Sequence, residues 1–163
     1  MPNALLSKIR IYLGIFMLGL VLSGLSAFPL RDELPIVIHT LATLGVSTQS
    51  ALLLWLSKVD QVLESTGRQY PFLAYGTDWL GFAHLVIAAV FIGAWRDPVR
   101  NKWLFTFGLY NCAAVIPFAI IAGHFRDIPF GWRLIDCSFG VFGAIPLWLC
   151  LRYVARLEQS SAN

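Results

Sequence analysis

The sequence predicts an all-α fold: an integral membrane four-helix bundle with an additional interfacial amphipathic helical segment on the outer side. Three observations carry this. Of 163 residues, 58% are hydrophobic and only 13% charged, where a soluble domain carries about 25% charged residues. Four segments are apolar over roughly the 20 residues a helix needs to cross a hydrocarbon core of about 30 Å. Aromatic residues gather at two levels, as the two headgroup layers of a bilayer would arrange them.

The four predicted spans cover about 11–30, 78–95, 103–123 and 134–151. Lys8 and Arg10 ahead of an apolar run resemble a signal peptide. The run of about 20 residues exceeds the 7–15 of a signal core, so it reads as a retained first span. The second span is the shortest and needs Asp78 and Trp95 at its two interfaces.

Charge orients the spans. With the N-terminus in the cytoplasm, one side carries Lys8, Arg10, Arg96, Arg100, Lys102, Arg152 and Arg156 against Asp97 and Glu158. The other carries Arg31, Lys58, Arg68, Arg126 and Arg133 against Asp32, Glu33, Asp60, Glu64, Asp78, Asp127 and Asp136. Lysine and arginine favour the cytoplasmic side, so both termini are expected there, in a cell membrane and most simply a bacterial inner membrane. Phe28, Tyr70, Phe72, Tyr75, Trp79, Phe125, Phe130 and Trp132 mark the outer belt. Tyr12, Trp95, Trp103, Trp148 and Tyr153 mark the inner one.

Residues 31–77 connect the first two spans. Leu34–Leu56 is apolar enough to suggest a fifth crossing. Pro35, His39, Gln49 and several hydroxyl residues oppose that, and a fifth crossing would place the basic loop 96–102 outside. Two helices in the outer interface, over about 34–66, are expected instead. Ser47 or Thr48 would cap the second. Leu52, Trp55, Leu56, Val59, Val62 and Leu63 would form its apolar stripe, with Lys58, Asp60, Gln61 and Glu64 opposite. Gly67 would end it, and Pro71 would turn the chain into the second span.

Polar groups in lipid are costly and point to function unless they lock helices together. A candidate polar cleft on the outer side holds Asp78, His84, His124, Arg126, Arg133 and Asp136. Arg133 and Asp136 stand three apart, so an ion pair between them is expected. Cys137, Gly140 and Ala144 continue that face, and small residues there let another helix approach. Arginine forks suit carboxylate or phosphate. Asn111 is expected to bond a neighbouring helix, and Gly19-x-x-x-Ser23 is a weaker contact signal. Arg96, Arg100 and Lys102 are candidates for contact with anionic lipid, with Asp97 satisfying amides of its own turn.

The three cysteines show no zinc-site spacing. There is no phosphate loop, HExxH or GxSxG. No cofactor is expected, with haem between histidines as a minor alternative, and a basic stripe for nucleic acid is lacking. The expected partners are the bilayer, a lipid or small anionic ligand, and a second copy or a membrane partner protein. The leading functional expectation is binding in the outer cleft. The alternatives are an enzyme on a lipid-like substrate, with His84 or Asp78 as acid/base, and an oligomeric transporter.

Overall fold

In a computed structural model describing residues 2–162, with side chains over 3–160, apolar periodicity resolves into helices joined by short turns. They are α1 (Pro2–Ala27), α2 (Leu30–Thr43), α3 (Ala51–Gln69), a 3₁₀ turn (Pro71–Ala74), α4 (Tyr75–Val90), α5 (Ile92–Arg96), α6 (Lys102–Phe125) and α7 (Phe130–Ala162). The described residues include no strand.

Four stretches are long and apolar enough to cross a membrane: Asn3–Ala27, Pro71–Arg96, Lys102–Phe125 and Phe130–Ser160. They correspond to the four predicted spans, with shifted ends. The first stops at Ala27, because Pro29 and Leu30 already belong to the start of α2. The last begins at Phe130 and runs on past Leu151. At 33 residues it is about 50 Å long, longer than a hydrocarbon core of about 30 Å is thick. Leu34–Leu56 is not a fifth long helix. It breaks at Gly45, whose φ of 90° suits glycine, and restarts at Ala51.

The chain divides into two compact units, Met1–Leu20 with Ile87–Asn163, and Val21–Val86. In the first, one apolar core draws on all four apolar stretches: Ile9 and Leu13, Phe91 and Ala94, Leu104, Phe105 and Cys112, and Leu147, Cys150 and Val154. Helices α6 and α7 form its most extensive pair. Their approach depends on missing side chains. A Cβ on Gly140 would collide with the Cys112 carbonyl oxygen, and one on Gly108 would lie 2.6 Å from Leu147 Cδ1. The small face expected on α7 therefore does receive another helix. Cys137 Sγ, on the same face, lies 3.7 Å from the Ile116 carbonyl.

The second unit holds a helix hairpin, α2 against α3. Leu34, Leu53 and Leu56 are buried there. The cap of α3 is Ser50, not Ser47 or Thr48: Ser50 Oγ accepts from the Leu53 amide at 3.3 Å, while Ser47 Oγ accepts from Gln49. Helix α3 also runs two residues past Gly67, because Gly67 lies in helical backbone beside the Arg31 side chain. Val62, expected in the apolar stripe, is exposed and Leu53 takes its place. Glycine sets the crossing of α1 and α4 as well. A Cβ on Gly24 would meet Gly81 O at 2.8 Å, and one on Gly81 would meet Gly24 O at 2.7 Å. Gly19 has nothing within 4 Å, so the expected contact at Gly19-x-x-x-Ser23 is displaced to Gly24.

Large apolar side chains cover the outside of the long helices. Tyr110 and Phe118 are each 73% exposed and Phe125 is 79% exposed. Water-soluble monomers rarely expose contiguous apolar patches beyond a few hundred Å². Such a surface is at home against hydrocarbon.

Candidate functional site

The turn between α6 and α7 is built by backbone chemistry. Helix α6 ends with the Ile128 amide donating to Gly123 O at 2.9 Å and the Asp127 amide donating to His124 O at 3.3 Å. This paired arrangement requires a left-handed residue one place beyond the cap, usually glycine. Asp127 fills it, with φ 53°. Pro129 then immediately precedes α7, its carbonyl accepting from the Trp132 and Arg133 amides.

The turn claims Arg133. Its Nε donates to the Ile128 carbonyl at 2.7 Å, and its methylenes cover Gly123, where a Cβ would come within 2.9 Å. The expected ion pair with Asp136 does not form. A carbonyl held in place by the turn outcompetes a carboxylate three residues along the helix. Arg133 is thus a clamp of the corner.

Arg126 and Asp136 line one groove along α6 and α7, with a volume of about 440 Å³. Val115, Phe118, Ala119 and Ala122 give it an apolar wall. The Arg126 side chain is exposed and Asp136 half-buried, and neither makes a hydrogen bond or ion pair with another described residue. His124 is exposed beside Phe125, with ring centres 5.8 Å apart. The groove thus offers a hydrocarbon-compatible wall and, on its lining, one free cation and one free anion.

Asp78 and His84 belong to the other unit, on α4. His84 Nδ1 lies 2.8 Å from Leu80 O of its own helix, and the His84 Cβ sits at the Gly24 crossing. Asp78 is half-buried and makes no hydrogen bond or ion pair with a described residue. Asn111 donates to Phe107 O of its own helix, not to a neighbouring helix as expected. An exposed amide one turn from a helix carbonyl is satisfied locally.

At the basic end of the first unit, Asp97 Oδ1 accepts from the Arg100 amide at 3.0 Å, as expected of a residue serving its own turn. Asn101 Nδ2 braces the turn through Gly93 O and Asp97 O. Arg96 and Arg100 are exposed. Lys102 instead pairs with Glu158 at 2.7 Å, so its charge is answered within the protein. Aromatic rings interleave with the other cations. Arg152 lies over Trp148, Lys8 and Arg156 lie near the Tyr153 ring, and Tyr12 stacks on Tyr153. Arg10, absent from the sequence-based lipid contacts, donates from Nε to Trp95 O at 3.3 Å. No sequence signal marks this bond, since it joins residues 85 apart.

Among the described residues no three His, Cys, Asp or Glu side chains gather as metal ligands. No protein-family model matches the chain, and no curated protein or solved structure matches it either.

Proposed function

We propose that the chain is a multi-pass membrane protein, both ends cytoplasmic, that binds an amphiphile in the groove of α6 and α7. The observation that carries this is the pairing of an apolar wall with two unanswered charges, Arg126 and Asp136. A half-buried carboxylate without a partner is costly near lipid. A ligand that brings a donor, an amine or hydroxyl, offsets that cost. Arg126 offers its fork to a phosphate or carboxylate of the same head. The acyl part lies on Val115, Phe118 and Ala119. The six-residue cleft is thereby narrowed to Arg126 and Asp136, with Arg133 holding their corner in shape.

No observation favours the enzyme reading to the same degree. His84 has one ring nitrogen committed to Leu80 O, and Asp78 is six residues away on the same helix.

The test is photocrosslinking with a phospholipid bearing a diazirine in its acyl chain, followed by peptide mapping. Adducts are expected to concentrate on residues 115–122. Ala119→Trp, which fills the groove, should abolish them, and Arg126→Ala should reduce them severalfold. Adducts spread evenly over the exposed faces of all four long helices, and unchanged by Ala119→Trp, would refute the proposal.

A further inference from the structure

A second pocket lies at the opposite, basic end of the first unit. It has a volume of about 310 Å³ and is lined by Asn3, Leu6, Ser7, Arg10 and Ile11 of α1 and by Trp95. The α1 residues recur at helical spacing and so share one face. Gly14 makes room for the Trp95 ring beside α1, since a Cβ there would meet the ring at 2.9 Å. The Trp95 carbonyl sits in the last turn of α5, where helix carbonyls lack intrahelical partners. Arg10 Nε takes that carbonyl, which fixes the guanidinium at the pocket while its two amino groups keep no partner among the described residues. The side chains of Ser7 and Asn3 are likewise without one. Below the pocket, Ile11, Ile15 and Leu18 are each more than half exposed. They stand four and three residues apart, an apolar stripe of about 10 Å along α1.

We infer that this pocket is a specific site for an anionic phospholipid, with its phosphate at Arg10, Ser7 and Asn3 and an acyl chain on Ile11, Ile15 and Leu18. Charge complementarity selects the occupant. Lys8, Arg10, Arg96, Arg100, Arg152 and Arg156 stand at this end without an ion pair, while the nearby acids Glu158 and Asp97 are occupied by Lys102 and the Arg100 amide. The pocket volume fits a headgroup, and the stripe continues from it as the chain of a lipid would. Trp95, 37% exposed, supplies the amphipathic ring that favours this depth. The site differs from the one expected at Arg96, Arg100 and Lys102. There, two exposed cations offer a diffuse field. Here, one oriented guanidinium meets two polar side chains and an apolar track.

Native mass spectrometry of the full chain in mild detergent tests this, with phosphatidylglycerol and phosphatidylcholine of equal chain length titrated separately. Both lipids bring a phosphate, but the trimethylammonium of phosphatidylcholine sets a second cation beside the Arg10 guanidinium, so the wild type should retain one phosphatidylglycerol about tenfold more tightly. Arg10→Ala should remove that preference, Arg10→Lys should keep part of it, and Arg156→Ala should leave it within twofold. Ser7→Trp fills the pocket without touching a charge and should abolish the preference even if Arg10→Ala unfolds the protein. Equal retention of both lipids by the wild type would overturn the inference. So would a preference that survives Ser7→Trp, or one that falls equally with Arg156→Ala and so reports only the general field. Ala119→Trp should leave this measurement unchanged, which separates it from the α6–α7 groove.

Discussion

Arg126 and Arg133 are seven residues apart, and the structure gives them different work. Arg133 is bound to the Ile128 carbonyl, so its loss breaks a charge-assisted hydrogen bond at a helix corner. Arg133→Ala should lower stability by about 1–2 kcal/mol, read as a fall in melting temperature in detergent. Arg126→Ala should leave the melting temperature unchanged and affect ligand retention only. A second prediction concerns Asp127. Left-handed backbone costs a non-glycine residue about 1–2 kcal/mol, less for aspartate, and glycine's extra entropy cost offsets part of the relief. Asp127→Gly should therefore stabilise by no more than about 0.5 kcal/mol, and Asp127→Val should destabilise. The i, i+3 spacing of Arg133 and Asp136 suggested an ion pair because spacing along a helix is visible in sequence. The competing Ile128 carbonyl was not, since it exists only once the turn closes. That turn carries no glycine at its left-handed position, so the usual marker of its geometry was missing.

The helices themselves were legible to within a few residues at most ends, because apolar runs with few charges leave little choice. Contacts between them were legible only in part. The small face of α7 announced its partner through Cys137, Gly140 and Ala144, and Gly140 does press on the α6 backbone. Gly140→Leu should separate the two helices and cost about 1–3 kcal/mol or more by overpacking, seen as a lower melting temperature. Gly19→Leu should not lower the melting temperature in the same assay and should raise it slightly, because open space surrounds the site and glycine's entropy cost in α1 is removed. The Gly24 and Gly81 approach was not legible, because small residues are frequent on both helices and Gly24, with Leu20 and Phe28 four residues to either side, belongs to no small-x-x-x-small spacing. The same holds for the cap of α3. Ser47 or Thr48 is expected at the position, but the helix starts later and Ser50 takes it. Ser50→Ala should cost about 1 kcal/mol.

At the scale of the whole molecule, solvent explains most of the composition. Long helices with exposed Tyr110, Phe118, Phe125 and Phe142 have a surface compatible with hydrocarbon. The basic end, with Arg152 over Trp148 and two cations near Tyr153, suits a headgroup layer with phosphates. The charged residues Arg152, Arg156 and Glu158 fall in the last third of α7, beyond its apolar stretch. What composition could not show is which polar groups share a wall. Arg126 and Asp136 do, while Asp78 and His84 sit in the other unit. In the proposed topology, four crossings put the basic turn 97–101 and both termini on one side and the α6–α7 corner on the other. The direct measurement is labelling of single introduced cysteines by a membrane-impermeant maleimide in intact cells, with the wild type as background for Cys112, Cys137 and Cys150. Thr48→Cys and His124→Cys should label in intact cells, and Arg100→Cys and Gln159→Cys only after permeabilisation. Equal labelling of His124→Cys and Arg100→Cys in intact cells would contradict the account.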